Sequence, residues 1–160
     1  MKPDFYIFLD IDGVLYDHEF MKQSHQKGII KRFDPKCIEA FNYLYARLTK
    51  NYNPKLVISS AWRANMKFTI ETLIAHDLVF DNIDHTPISR TPNLRANEIL
   101  EYLKDKKDKN NFVIIDDEYF DFLEHFPKSK IIKTNITCQS LNKDMINSFF
   151  DDFLEKCIEN

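Results

Sequence analysis

The chain predicts an α/β fold: a mainly parallel central sheet in a three-layer, Rossmann-like arrangement. Three observations carry this. Short, nearly continuous apolar runs alternate with longer segments of helical periodicity, the pattern of strands buried on both faces and joined by crossover helices. The clearest of those runs, residues 5–10, 55–58 and 112–115, end in polar groups: Asp10 and Asp12, Ser59 and Ser60, Asp116 and Asp117. In open α/β sheets ligands bind at that carboxyl edge. Finally, glycine is scarce. Gly13 and Gly28 are the only two in 160 residues, so a glycine directly after the acid pair marks a tight turn or a close backbone approach to a ligand.

Each element follows from local chemistry. Residues 5–10 read as a buried strand. Asp34-Pro35 is an N-cap with proline at the first helical position, and Ile38, Phe41, Leu44, Tyr45 and Leu48 continue at helical spacing. Lys55-Leu56-Val57-Ile58 is a second buried strand. A helix over about 66–76 carries Phe68, Ile70, Leu73 and Ile74; a weak strand is expected at 78–80 or 86–88; a helix near 94–104 presents Leu94, Ile99, Leu100 and Leu103. Residues 112–115 form the third clear strand. A short helix stopped before Pro127, a strand at 130–133 and a last helix over about 141–158 complete the chain. That last helix bears a stripe of Leu141, Met145, Ile146, Phe149, Phe150, Phe153, Leu154 and Cys157. No repeat or linker interrupts the pattern, so one domain over residues 1–160 is expected, with residues 16–33 as a flap.

Composition narrows the function. A chain with 44% hydrophobic and 29% charged residues is globular, not disordered. A net charge of −3 argues against a strongly basic nucleic-acid binder, though not against a local basic groove. No apolar run approaches the roughly 20 residues that span a bilayer, and the opening Met1-Lys2-Pro3-Asp4 has no signal-peptide pattern. Cys37, Cys138 and Cys157 are odd in number and lack CxxC spacing, which predicts free thiols in a cytoplasmic protein.

Four carboxylates at one sheet edge repel unless a cation joins them. No cysteine or histidine cluster competes for a soft metal, so a hard ion such as Mg²⁺ fits best. The Ser59 hydroxyl would hold a phosphate oxygen, and Arg95 or Arg63 would neutralise developing charge. Such a set suits phosphoryl transfer, which rests on positioning and charge stabilisation. Asp10 is placed to attack phosphorus, and Asp12 to protonate the leaving oxygen and then deprotonate water.

Asp10-Ile11-Asp12-Gly13-Val14-Leu15 resembles the first motif of the haloacid dehalogenase (HAD) superfamily of phosphohydrolases. Ser59 matches the second motif, Arg95 ahead of Glu98-Ile99 stands where the third-motif lysine is usual, and Val113-Ile114-Ile115-Asp116-Asp117 matches the acidic fourth motif. The resemblance spans about residues 5–140. It is closer still to the small HAD domains associated with RNA-repair proteins, through Ser59-Ser60-Ala61-Trp62-Arg63, then Thr91-Pro92 or Thr86-Pro87, then Arg95 and Glu98-Ile99. A late Gly-Leu-Thr of such domains is replaced here by Cys138-Gln139-Ser140-Leu141.

The resemblance implies an HAD fold without a full cap domain and a Mg²⁺-dependent phosphatase acting through an aspartyl-phosphate. It makes Asp10 the nucleophile and Asp12 the acid/base. It puts Asp10, Asp12 (with its backbone carbonyl) and Asp117 on the metal, with Asp116 in support. Ser59 and Arg95 join the catalytic set, and Ser60, Trp62 and Arg63 become substrate contacts, Trp62 as core or as a stacking surface for a base. Insertions this short leave the pocket open, which suits a phosphate on a macromolecule, such as a nucleic-acid end. A small phosphorylated metabolite, or a non-catalytic phosphate-binding role, are the alternatives.

Overall fold

The computed structural model describes residues 1–28, 31–89, 94–119 and 121–158, with side chains to residue 153. Strand β1 is Asp4–Leu9, β2 Asn53–Ile58, β3 Ile83–His85, β4 Phe112–Asp116 and β5 Ile131–Lys133. They form one five-stranded sheet in the order β3-β2-β1-β4-β5, with every pairing parallel. The helices are α1 His18–Gln26, α2 Pro35–Leu48, α3 Met66–Ala75, α4 Arg95–Leu103, α5 Phe122–His125 and α6 Lys143–Ile158.

The apolar runs are continuous because both sheet faces are covered. Phe5, Ile7 and Leu9 of β1 join Leu56, Ile58, Val113, Ile115 and Ile132 in a core shared with α2 and α6. Tyr6 and Phe8 point the other way, with Val57, Phe112 and Ile114, against Ala96, Ile99 and Leu103 of α4 and Phe122 of α5. Alternate residues of one strand thus fill two cores, and the arrangement is the expected three-layer α/β fold, with no second domain among the described residues. The Asp34 carboxylate caps α2 at the Lys36 amide (2.9 Å), with proline at the first helical position as expected.

Two elements differ from the expectation. The weak strand lies at neither 78–80 nor 86–88 but at Ile83–His85. It is an edge strand of three residues, with Asp84 and His85 exposed, and charge on a short edge defeats an apolar-run reading. Leu78, whose apolar character favoured the earlier position, is buried in the loop that leaves α3 through Asp77 at φ 61°. The second difference is in the expected flap, which contains α1. Asp17 caps it at the Phe20 amide (2.8 Å) and also accepts from the Ser140 amide (3.2 Å) and hydroxyl (3.0 Å). Ser140, where the sequence departs from Gly-Leu-Thr, therefore ties α1 to the end of the sheet. Thr91-Pro92 lies outside the described residues, whereas Thr86-Pro87 follows β3. Cys37 is buried and Cys138 exposed, both free.

Candidate active site at the carboxyl edge of the sheet

The strand order changes direction at β1, from which β2 and β4 depart on opposite sides. A crevice outside the strand ends at such a point is the ligand position of doubly wound sheets. The register fills it. Leu9 pairs with Ile58 and Ile115, so the next residues, Ser59, Asp10 and Asp116, lie side by side. Backbone bonds continue this row past the strand ends: Asp10 N–H donates to Ile115 C=O (2.9 Å), Ser59 N–H to Leu9 C=O (3.1 Å) and Thr86 N–H to Ile58 C=O (3.1 Å).

Carboxylate oxygens of Asp10, Asp116 and Asp117 lie within 4.8 Å of one another. Asp10 and Asp116 are almost wholly buried. Burial raises the Asp10 pKa first, the charge of Asp116 adds to this, and Arg95 opposes it. Burial raises the Asp116 pKa as well, against the lowering effect of Arg95. Gly13 explains how the third acid fits. It has φ +78°, and a Cβ built there would stand 2.6 Å from Asp117 Oδ2. The backbone approach that glycine scarcity predicted is to the acid cluster itself. The Gly13 carbonyl is fixed by the buried Thr134 hydroxyl at 2.7 Å.

Arg95, the first residue of α4, donates from Nη1 to Asp116 Oδ2 (2.7 Å) and stands 3.3 Å from Asp10 Oδ1. Burial alone would lower its pKa, but the Asp116 and Asp10 charges outweigh that and raise it. One guanidinium against three clustered carboxylates leaves the group net negative, with oxygen donors only. That donor set fits a hard divalent cation. Asp116 is engaged at both oxygens, by Arg95 and by the Glu118 amide (3.0 Å); Asp117, half-buried, is the more available ligand.

The Asp12 carboxylate is not in that cluster. It accepts from Tyr16 Oη at 2.7 Å and from Trp62 Nε1 at 3.2 and 3.3 Å. The two adjacent acids thus occupy different environments, one among like charges and one among neutral donors. Ser59 Oγ is wholly buried and has no hydrogen-bond partner among the described residues, and the same holds for Thr86 Oγ1 beside it. Unsatisfied buried hydroxyls cost stability, which makes both candidates for bonding a ligand's oxygen atoms. Ser60 Oγ instead accepts from the Trp62 amide (3.3 Å), capping the 3₁₀ turn Ala61–Asn65.

Arg63 requires a correction. The sequence reading gave it to substrate, but its guanidinium faces the protein. Nη2 forks onto Glu98 at 2.8 and 2.9 Å, and Nη1 donates to the Ser59 and Ser60 carbonyls at 2.9 and 3.0 Å. Glu98 also accepts from the Ser89 amide at 2.7 Å. The pair therefore ties the Ser59 turn to α4 and to the segment before it. Both side chains are only 9% exposed, so breaking the pair strands a buried charge. A Glu98→Ala protein is expected to lose about 3–5 kcal/mol of stability in denaturant melts. An Arg63→Met, Glu98→Leu double variant should recover most of it, since neither charge is then left alone. Equal losses for both variants would contradict this role.

Sequence reasoning missed several participants. Tyr16 carried a signal, lying one helical turn beyond Asp12 in number and polar in a run that is otherwise apolar. Glu98 was noted only as a motif letter; its service to Arg63 depends on tertiary distance. Thr86 was noted only within Thr86-Pro87, and its place beside Ser59 required the register of β3.

No curated protein and no solved structure gave a match. A family model did, the HAD domain in Swiss Army Knife RNA repair proteins, over residues 6–141. The match runs from within β1, through the row of site residues, to the loop before α6, and with it the chain belongs to that family of HAD domains.

Proposed function

We propose that the protein is a Mg²⁺-dependent phosphatase of the HAD type that removes a terminal phosphate from a polynucleotide through an aspartyl-phosphate. The observation that carries this is the row Ser59, Asp10, Asp116 at the switch point, with Asp117 and Arg95 closing on Asp10. Asp10, Asp117 and the Asp12 carbonyl would hold the ion, with Asp116 behind them. Bound there, Mg²⁺ offsets the negative charge of the acids and of the incoming phosphate.

The Asp10 carboxylate attacks phosphorus, and the ester P–O bond breaks toward the leaving oxygen. That oxygen takes a proton from Asp12. Asp12 then removes a proton from water, whose oxygen attacks the same phosphorus. The bond to Asp10 breaks, releasing inorganic phosphate and restoring both aspartates. Ser59 Oγ donates to a phosphoryl oxygen, and Arg95 holds Asp10 in line and balances charge. Tyr16 and Trp62 fix the Asp12 side chain. Among the described residues no cap domain covers the row, which favours a phosphate carried on a large molecule.

Asp12→Asn tests the division of labour. With an alkyl phosphate, whose leaving group needs a proton, turnover should fall about 10²-fold or more. With p-nitrophenyl phosphate, which leaves unaided, the variant should give a rapid burst of one equivalent of nitrophenol and then stall, because water is no longer activated. Equal losses on both esters without a burst would count against an acid/base role for Asp12.

A further inference from the structure

We infer that Trp62, Phe68 and Arg32 form a stacking subsite for the nucleobase next to the phosphate being removed, and that basic residues around α1 carry the strand beyond it. This rests on the polynucleotide-end reading above and adds to it a set of residues that read the substrate.

The first observation is an aromatic group that reaches from the catalytic acid to the surface. Trp62 donates to Asp12, so its ring is fixed at the edge of the site. Phe68 lies stacked near it, with centroids 5.7 Å apart and planes at 26°, and Phe33 supports Trp62 from the core at 5.6 Å. Phe68 is 42% exposed, although it is a large apolar side chain on a helix whose Leu73 is buried. The Arg32 guanidinium lies 4.9 Å from the Trp62 ring centroid and 5.4 Å from that of Phe68. An exposed arginine over two stacked rings marks a surface that suits a flat, polarisable group, and every base has such a face.

The second observation is charge. Between Phe20 and Lys36 the charged residues are Lys22, Lys27, Lys31, Arg32 and Lys36 against Asp34 alone. Five positive and one negative give +4 in a chain whose net charge is −3. Asp34 is half-buried and engaged in capping α2, while the five cations are exposed. Lys27 and Lys31 line a depression of about 180 Å³ that holds no acid, and Lys31 also borders a larger one of about 450 Å³, where Glu39 and Asp77 offset it. Cations beside aromatic rings are how single strands are held: the backbone follows the charge and bases stack on the rings. On binding, the base takes the place of Arg32 over the rings, and Arg32 turns to the adjoining phosphate.

Trp62 is the only tryptophan, so its fluorescence reports stacking directly. Phosphorylated oligonucleotides with a normal or an abasic terminal residue are titrated into the Asp10→Asn protein, where the phosphate stays in place. Quenching is expected with the terminal base and not with the abasic end. In otherwise wild-type protein, Phe68→Ala should raise KM for the oligonucleotide about tenfold and leave turnover of p-nitrophenyl phosphate unchanged, while Phe68→Tyr restores the KM. Quenching without phosphate release from any substrate would uphold the subsite and refute the phosphatase reading. Hydrolysis of p-nitrophenyl phosphate with equal quenching by base and abasic ends, or with none, would overturn the subsite alone. So would equal effects of Phe68→Ala on both substrates, or quenching by a phosphopeptide as strong as by the oligonucleotide.

Discussion

An Asp10→Asn protein is expected to release phosphate at least about 10³-fold more slowly than wild type and, with divalent ions chelated, to melt at a higher temperature. The first effect follows if Asp10 is the nucleophile, as proposed, since an amide nitrogen cannot form the acyl phosphate. The second follows from the surroundings of Asp10. Its carboxyl is buried beside Asp116 and Asp117, and Arg95 is the one cation that contacts it among the described residues. Asparagine keeps the shape and removes a carboxyl that must otherwise either ionise beside like charges or hold its proton at a cost in stability. For a chain of this size each kcal/mol recovered raises the midpoint by about 2–4 °C. A residue kept for structure would behave oppositely, losing stability on substitution, so the opposed signs of the two effects are diagnostic. Aryl phosphate turnover and a thermal melt in chelator read both.

The metal-free protein is expected to lose stability as pH rises from the ordinary carboxylate range toward neutral, and Mg²⁺ is expected to restore it. Asp10 and Asp116 both hold their protons to higher pH in the folded chain than in the unfolded one, chiefly because they are buried. Between the unfolded and folded values the folded state binds more protons, so its stability falls with rising pH. The contribution is fully present below the unfolded value and is lost as pH passes through the folded one. On the proposed reading a divalent ion would take the place of those protons. At a hundredfold excess over its dissociation constant it adds about 2.7 kcal/mol, and it binds best when the acids are ionised. The gap between melting temperatures in MgCl₂ and in chelator should therefore widen from about pH 5 to about pH 8. A gap that narrows over that range would contradict a carboxylate metal site here. In the Asp10→Asn protein the chelated curve should flatten, since one of the two titrating acids is gone.

Much of this site is legible in the sequence itself. Asp10, Ser59 and Asp116 end runs whose apolar character makes them strands, and parallel pairing then forces their ends together. Gly13 was legible for a reason of composition, being one of only two glycines and directly after two acids. Arg95 was placed by spacing alone, and its contacts with Asp10 and Asp116 needed the turn into α4. What could not be read is what depends on direction. Arg63 follows the polar end of β2 and Arg95 opens α4, yet the first turns inward to Glu98 and the second toward the acids. Nothing in a linear pattern separates them, because the partner carboxylates are distant in sequence. The edge strand Ile83–His85 was misplaced for the reverse reason, that its position is set by backbone pairing with β2 and not by its own apolar residues. Phe68 read as one more apolar residue of a helix, and only exposure distinguishes it from Leu73.

In the proposed mechanism Asp10 carries the phosphoryl group during turnover. An acid-quenched single turnover of a radiolabelled phosphate ester with Mg²⁺, followed by peptide mapping, tests it most directly. Label is expected bound covalently to the peptide containing Asp10, labile to hydroxylamine, accumulating further in Asp12→Asn and absent in Asp10→Asn. Phosphate release with no covalent label at any quench time, or label on a peptide without Asp10, would contradict it.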